Sequence, residues 1–275
     1  MLLPEVAQMD LSLALAELDC RGYARLGRVL DEDGLLALRE RAEELMLGKV
    51  SYPGLFFQMD AATGKYEDAP IGQGWQGPSL AYRKLEKLEK DARFCEWLSN
   101  PLFERVAAAR IAGEVVIYRA ILFNKGIPGG SDIPWHQDGG SLWGLSEPPT
   151  LQIWTALDDA PSDGGCLQFL PGSHEAGLAS PLGGVVPKRL VLDREADRRA
   201  VEVPVVAGEA LLIHNSVWHR SGRSRPGHRR LAFSVCYMSA RTRCLRTKRA
   251  PREFFKVFGD RHARFGDVQF LACTK

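Results

Sequence analysis

The chain reads as mainly β with helical elaboration: a double-stranded β-helix, or jelly-roll, core with N-terminal helices packed on one sheet. Three observations predict this. From about Glu114 onward, short runs rich in Val, Ile, Leu, Phe and Tyr alternate with turn clusters such as PGGSD, SEPP, DAPSDGG, PLGG and RSRPG, the texture of strands joined by tight turns. The first hundred or so residues instead carry apolar positions at helical spacing. With 275 residues, 45% hydrophobic and 25% charged, the chain is long enough to enclose a substantial core.

The elements follow in order. Asp31 can cap a helix whose Leu35, Leu38, Ala42 and Leu45 fall on one stripe. Residues 51–83 are dense in glycine and proline, carry Phe56, Phe57, Tyr66 and Trp75, and read as a lid. A second helix runs through Phe94, Trp97 and Leu98. Strands are expected at 115–124, 133–138, 151–157, 166–170, 210–213 and 231–238, with weaker ones at 186–192 and 201–205. About eight strands suit a double-sheet jelly roll. The whole is expected to be one domain: a helical part over 1–113, the jelly roll over 114–240 and a basic extension over 241–275. No internal repeat or low-complexity tract interrupts it.

Composition excludes several classes. A net charge of +2 gives no global field for nucleic acid. Six cysteines without a C-x-x-C pair suggest neither a zinc site nor a disulfide framework, so reduced thiols in a cytoplasm are expected. The stretch MLLPEVAQMDLSLALAELDC lacks a basic segment followed by an unbroken apolar run, so neither a signal peptide nor a membrane anchor is expected. Cys-Thr-Lys at the C-terminus matches no peroxisomal or prenylation ending. Oligomeric state is not legible.

The strongest chemical signal is Trp135-His136-Gln137-Asp138-Gly139-Gly140. Residues two apart in a strand face one way, so His136 and Asp138 can project into the barrel while Gln137 points out. Taken alone the pattern is weak, because a strand histidine beside an aspartate is more often an ordinary hydrogen bond. A third ligand must come from elsewhere, and Leu211 to His219 offers His214 or His219. Two features add weight: the glycine pair leaves room for a pocket mouth, and a histidine near a predicted strand end is followed, one turn and a strand start later, by an arginine in an apolar run. Two histidines and a carboxylate on one octahedral face leave three positions open, the arrangement of non-haem iron(II) oxygenases. Arg230 opens the apolar run Arg230-Leu231-Ala232-Phe233-Ser234-Val235. A guanidinium there needs an anionic partner, and the far carboxylate of a small diacid fits its fork. Arg229 competes for the role.

The second half resembles the phytanoyl-CoA dioxygenase family of 2-oxoglutarate-dependent oxygenases. The stretches that carry the likeness are Pro134-Trp135-His136-Gln137-Asp138, then Trp154-Thr155-Ala156-Leu157-Asp158-Asp159, then Gly164-Gly165-Cys166-Leu167 leading to Leu170-Pro171-Gly172-Ser173-His174, and Gly208-Glu209-Ala210 through His219-Arg220-Ser221-Gly222 to Arg230. They stand in the family's order and are jointly specific. The resemblance implies Fe(II), 2-oxoglutarate and O2, with His136, Asp138 and His219 as metal ligands and Arg230 on the far carboxylate. It also implies that Ser221 assists there, that Trp154 and Ile121 line the co-substrate slot, and that Lys84 corresponds to the family's helical lysine that reaches the co-substrate. Arg223-Ser224 follow Ser221-Gly222 where the family usually has asparagine, a departure at the substrate rim.

Hydroxylation of a small organic molecule is the default outcome by that resemblance, and a carboxylate at 138 argues against halogenation. Desaturation, cyclisation, epoxidation and rearrangement use the same ligands. Alternatives are a cupin-like, 2-oxoglutarate-independent metalloenzyme and a metal-free jelly-roll binding protein. Phe57, Trp75 and Trp143 are candidate substrate walls, though such aromatics are more often core. The basic stretch 220–252 is usually a solvated face, but beside the mouth it would favour an anionic substrate. His174 and His214 read as structural, and His228 and His262 carry no signal.

Overall fold

The longest helix starts where Asp31 accepts a hydrogen bond from the Gly34 backbone N–H, satisfying one of the donors a helix start leaves free. The structure, a computed structural model, describes residues 2–6, 8–247 and 252–259. Its helices are α1 (Ser12–Arg21), α2 (Glu32–Met46), α3 (Ala92–Leu98), α4 (Pro101–Arg110), α5 (Lys188–Asp193) and α6 (Ala196–Arg199). The strands are β1 (Tyr23–Arg28), β2 (Phe56–Met59), β3 (Tyr82–Glu86), β4 (Val115–Lys125), β5 (Ile133–Gln137), β6 (Leu151–Ala156), β7 (Leu167–Leu170), β8 (Gly184–Val185), β9 (Val201–Val203), β10 (Glu209–Ile213), β11 (Trp218–Ser221), β12 (Arg230–Ser239) and β13 (Phe255–Phe258).

They form two antiparallel sheets. The larger runs β1-β10-β6-β12-β4-β3-β2 with β13 also on β4, and the smaller runs β8-β5-β11-β7-β9. The fold is mainly β, as its sequence texture predicts.

Alternation assigns the faces. Leu122, Ile153 and Phe233 of the large sheet join Leu38 and Leu45 of α2, Phe94 and Trp97 of α3 and Phe103 of α4 in one core, so the N-terminal helices cover that sheet's outer face. A fully buried leucine there contributes about 1.5–3 kcal/mol. Trp154, Ala156 and Ala232 face inward against Leu167, Phe169 and Val203 of the small sheet. The small sheet's outer face, with Trp135, Leu170 and Trp218, is covered by Val186, Leu190 and Ala196.

Three expectations change. Residues 186–192 are not a strand: Lys188–Asp193 is helical, because a short apolar run cannot by itself distinguish strand from helix and Pro187 precedes a first turn. The segment 51–83 is not wholly a lid, since β2 and the start of β3 pair into the large sheet. The strands β1, β2, β3, β8, β11 and β13 lie outside the expected ranges. Cys20, Cys95, Cys166, Cys236 and Cys244 are free thiols. Cys273, His262 and the last part of the basic extension lie outside the described residues. No helix among the described residues is long and apolar enough to cross a membrane.

Candidate active site

His136 on β5 and His219 on β11 are direct cross-strand partners, and both turn inward because Trp135, Trp218 and Gln137 turn out. Asp138 lies one residue past the end of β5. One donor atom from each of the three falls within 4.8 Å of the others. The imidazole centroids are 4.0 Å apart, and His219 Nε2 lies 3.7 Å from Asp138 Oδ2.

Tautomers are set by the backbone. His136 Nδ1 lies 2.9 Å from the Pro134 carbonyl and His219 Nδ1 lies 3.0 Å from the Val217 carbonyl. Each Nδ1–H therefore donates to a carbonyl two residues earlier, leaving the Nε2 lone pair for a cation. Burial, reinforced by repulsion from His136, pushes His219 down to about 4, against a partial lift from Asp138. Burial would raise Asp138, but His219, His136, Arg119 and the Gln152 hydrogen bond hold it below the usual carboxylate range. The set thus combines a neutral His219 and an ionised Asp138 with the second imidazole of His136, which suits a divalent cation.

Asp138 is fixed from outside the motif. Gln152 Nε2 donates to Oδ2 at 2.8 Å, the Asp138 backbone N–H donates to the Asn215 carbonyl at 2.8 Å, and Asn215 Nδ2 donates back to the Asp138 carbonyl at 3.1 Å. Beyond it Gly140 is at φ +82, where a Cβ would stand 2.3 Å from the Leu182 carbonyl oxygen, so only glycine fits.

Facing this set across the sheets is Arg230 of β12, 2% exposed. Its Nε and Nη1 are buried without a hydrogen-bond partner among the described residues, as is Ser221 Oγ. The guanidinium lies 5.8 Å from the Trp154 ring centroid. Burial pulls it down to about 10, with partial support from Cys166 and Asp158, so it stays charged at neutral pH. Buried, unpaired donors of one sign mark a place for an anionic ligand. Arg230, Ser221, Trp154 and the three donor residues line one cavity of about 140 Å³. The donor set therefore fits a divalent metal, and the orphaned atoms fit a carboxylate.

The remaining expected residues fall in different places. Arg229 points away and pairs with Asp158 at 2.8 Å and Glu43 at 2.5 Å. His214 accepts from the Ser216 N–H and its ring lies tilted against His174, centroids 4.9 Å apart, outside the donor set. Lys84 lines the cavity but stands on a strand, not a helix, and its Nζ is 2.7 Å from Glu86. Ile121 is buried on the same cross-strand row as Ser234 and Trp154, set back from the cavity lining. Phe57 is not a cavity wall: its partner Leu85 is on the helix-covered face, so alternation turns it away. Trp75 packs with Phe57 and Tyr82 and is likewise elsewhere. Trp143 stacks on Tyr118 at 4.4 Å, beside the Arg119 guanidinium.

Among its described residues the basic stretch 220–252 does not form one patch. Arg220 pairs with Asp197, Arg225 with Asp163 and Arg229 with Asp158 and Glu43, while Arg223, Arg246 and Arg252 donate to backbone carbonyls. Sequence reasoning missed Gln152, Asn215 and Arg119, none of which sits in a local motif. A larger groove of about 560 Å³ lies on the outer side of the small sheet, between Trp135 and α5, and contains none of the metal-donor residues.

Comparison with known proteins gives the chain's family and its fold relatives. A family profile described as phytanoyl-CoA dioxygenase (PhyH) matches residues 18–232. The chain is 30% identical over 159 residues to phytanoyl-CoA dioxygenase domain-containing protein 1 of Danio rerio, covering 51% of this chain and 54% of that protein. It thus spans about half the length of that relative. To peroxisomal phytanoyl-CoA dioxygenase of Rattus norvegicus it is 23% identical over 243 residues, covering 84% and 69%. Among solved structures, the non-heme alpha ketoglutarate dependent carbocyclase SnoK from nogalamycin biosynthesis superposes with a TM-score of 0.68 at 22% identity over 92% of this chain and 98% of that one. EctD from S. alaskensis with 2-oxoglutarate and 5-hydroxyectoine gives 0.67 at 17% identity, over 90% and 84%.

Proposed function

The chain belongs to the phytanoyl-CoA dioxygenase family, and from that premise we propose that it is an iron(II)- and 2-oxoglutarate-dependent oxygenase that hydroxylates an unactivated C–H bond of a small organic molecule. The observation that carries the reading is the pairing, in one cavity, of a His-Asp-His donor set with a buried arginine that has two unpartnered nitrogens. A metalloenzyme that made no use of a diacid would have no reason to keep that charge out of water.

Iron(II) held by these residues would activate O2, the oxidant, with 2-oxoglutarate giving two electrons as it is oxidised to succinate and CO2, so that one oxygen atom would go to succinate and the other to the substrate. The side chains have other tasks. His136 and His219 present Nε2 lone pairs already oriented by their Nδ1 hydrogen bonds, and Asp138 contributes the charge that Gln152 keeps aimed. Arg230 and Ser221 hold the far carboxylate, fixing which end of the diacid meets the metal. Trp154, Phe123, Leu167 and Ile213 provide apolar wall that limits water beside the reacting centre.

Anaerobic titration with Fe(II) and 2-oxoglutarate tests this. A weak visible metal-to-ligand charge-transfer band is expected only when both are present, absent in His219→Ala and retained in His214→Ala. A wild-type protein without the band, or one that makes no succinate from 2-oxoglutarate under air, would end the proposal.

A further inference from the structure

Strand β4 is irregular at one point. Its register with β12 pairs Cys236 with Arg119 and Tyr237 with Ile117, leaving Tyr118 without a partner. Such a bulge puts two neighbouring side chains on one face. Tyr118 packs inward against Trp143 and Cys236, and Arg119 lines the cavity that holds His136, Asp138 and His219. The guanidinium carbon of Arg119 lies 4.5 Å from the Trp143 ring centroid and 5.1 Å from that of Tyr118. Aromatic faces so placed hold the plane of the fork and leave its edge donors free.

Those donors are unspent. Among the described residues Arg119 makes no hydrogen bond or ion pair, and its Nε is buried. Two carboxylates act on it through space, Glu86 and Asp138. Glu86 already pairs with Lys84, and Asp138 is a donor to the metal site held by Gln152.

Its place differs from that of Arg230. Arg119 shares a cross-strand row with Cys236 and Gln152, whereas Arg230 pairs with Lys125, six residues along β4, or about 20 Å of strand. Two arginines thus enter one cavity from rows far apart, one beside the partner of Asp138 and one beside Ser221.

We propose that Arg119 is the receptor for an anionic group, a carboxylate or a phosphate, on the molecule that is oxidised, and that it selects an organic acid over its neutral analogue. This rests on the oxygenase reading and names its substrate class. A site that presents an unpaired buried donor to a ligand group rejects the analogue lacking that group.

The test is calorimetric titration of anaerobic protein loaded with Fe(II) and 2-oxoglutarate. The probes are aliphatic and aromatic monocarboxylates with their primary amides, and phosphate monoesters with their alcohols. Acidic members are expected to bind at least about tenfold more tightly than their neutral partners, and whether carboxylates or phosphates lead identifies the group. In R119M the preference should shrink to within about twofold, R119K should retain part of it, and the charge-transfer midpoint for 2-oxoglutarate should stay within about twofold. R83M is the comparison, because Arg83 also lines the cavity, stacked on Tyr66 at 5.0 Å; it should keep the preference. Neutral partners binding as well as acids, no probe binding, preference surviving R119M, preference lost in R83M, or R119M weakening 2-oxoglutarate would each overturn the assignment. Loss of the band in wild-type protein would instead show that the underlying reading had failed.

Discussion

Arg230 concentrates the conflict between stability and binding at a single residue. A guanidinium 2% exposed, with two nitrogens unpartnered, destabilises the metal-free fold until a carboxylate meets it. Arg230→Met is therefore expected to raise the melting temperature of the metal-free protein while raising the 2-oxoglutarate Kd by about two orders of magnitude. Calorimetry and titration of the charge-transfer band check the two halves, and a variant less stable and still tight-binding would contradict both. Histidines add a pH dependence of definite sign. Burial pushes His214 and His219 from the usual 6.5 down to about 4, so between those values the unfolded chain binds more protons than the folded one. Stability of the metal-free protein should thus fall as pH drops from about 6.5 toward 4. His214→Asn, which removes one of the two groups, should flatten the fall in melting temperature across that window.

Among the elements, the segment leaving β5 is the most constrained. Gly140 cannot accept a Cβ without pushing on the Leu182 carbonyl, and Asp138 stands two residues before it. Gly140→Ala should cost about 1–3 kcal/mol, read as a lower melting temperature, and should weaken the iron-dependent band by displacing Asp138; an unchanged band would separate the turn from the metal site. This turn was legible in the sequence, because a glycine pair after His-x-Asp is a local pattern. So was α2, whose Asp31 cap and apolar stripe need no tertiary information. The strand β11, which carries His219, was not read, since Trp218–Ser221 is too short to show alternation. Nor were Gln152 and Arg119, because what makes them part of the site is the pairing of β6, β12 and β4 and a bulge in that pairing, nor Asn215, which reaches Asp138 only through the approach of the turn between β10 and β11 to the end of β5. Reading Phe57 as a cavity wall failed for a related reason, since the face of β2 depends on its register with β3.

At the scale of the whole molecule, the metal donors belong to the small sheet and Arg230 to the large one. A diacid bound between them ties together layers otherwise held by apolar packing. Saturating iron(II) and 2-oxoglutarate, at about a hundred times Kd, should stabilise the fold by about 2.7 kcal/mol, or several degrees by calorimetry; in Arg230→Met iron alone should still stabilise and 2-oxoglutarate should add little. That division of labour has a further consequence. On the proposed binding mode one end of the co-substrate would be gripped by one layer and the other end by the opposite layer, so the gap between layers would act as a gauge of carbon-chain length. A diacid one methylene shorter or longer would then fit less well, and the expected outcome is that the charge-transfer band titrates with a higher Kd for those keto acids than for 2-oxoglutarate.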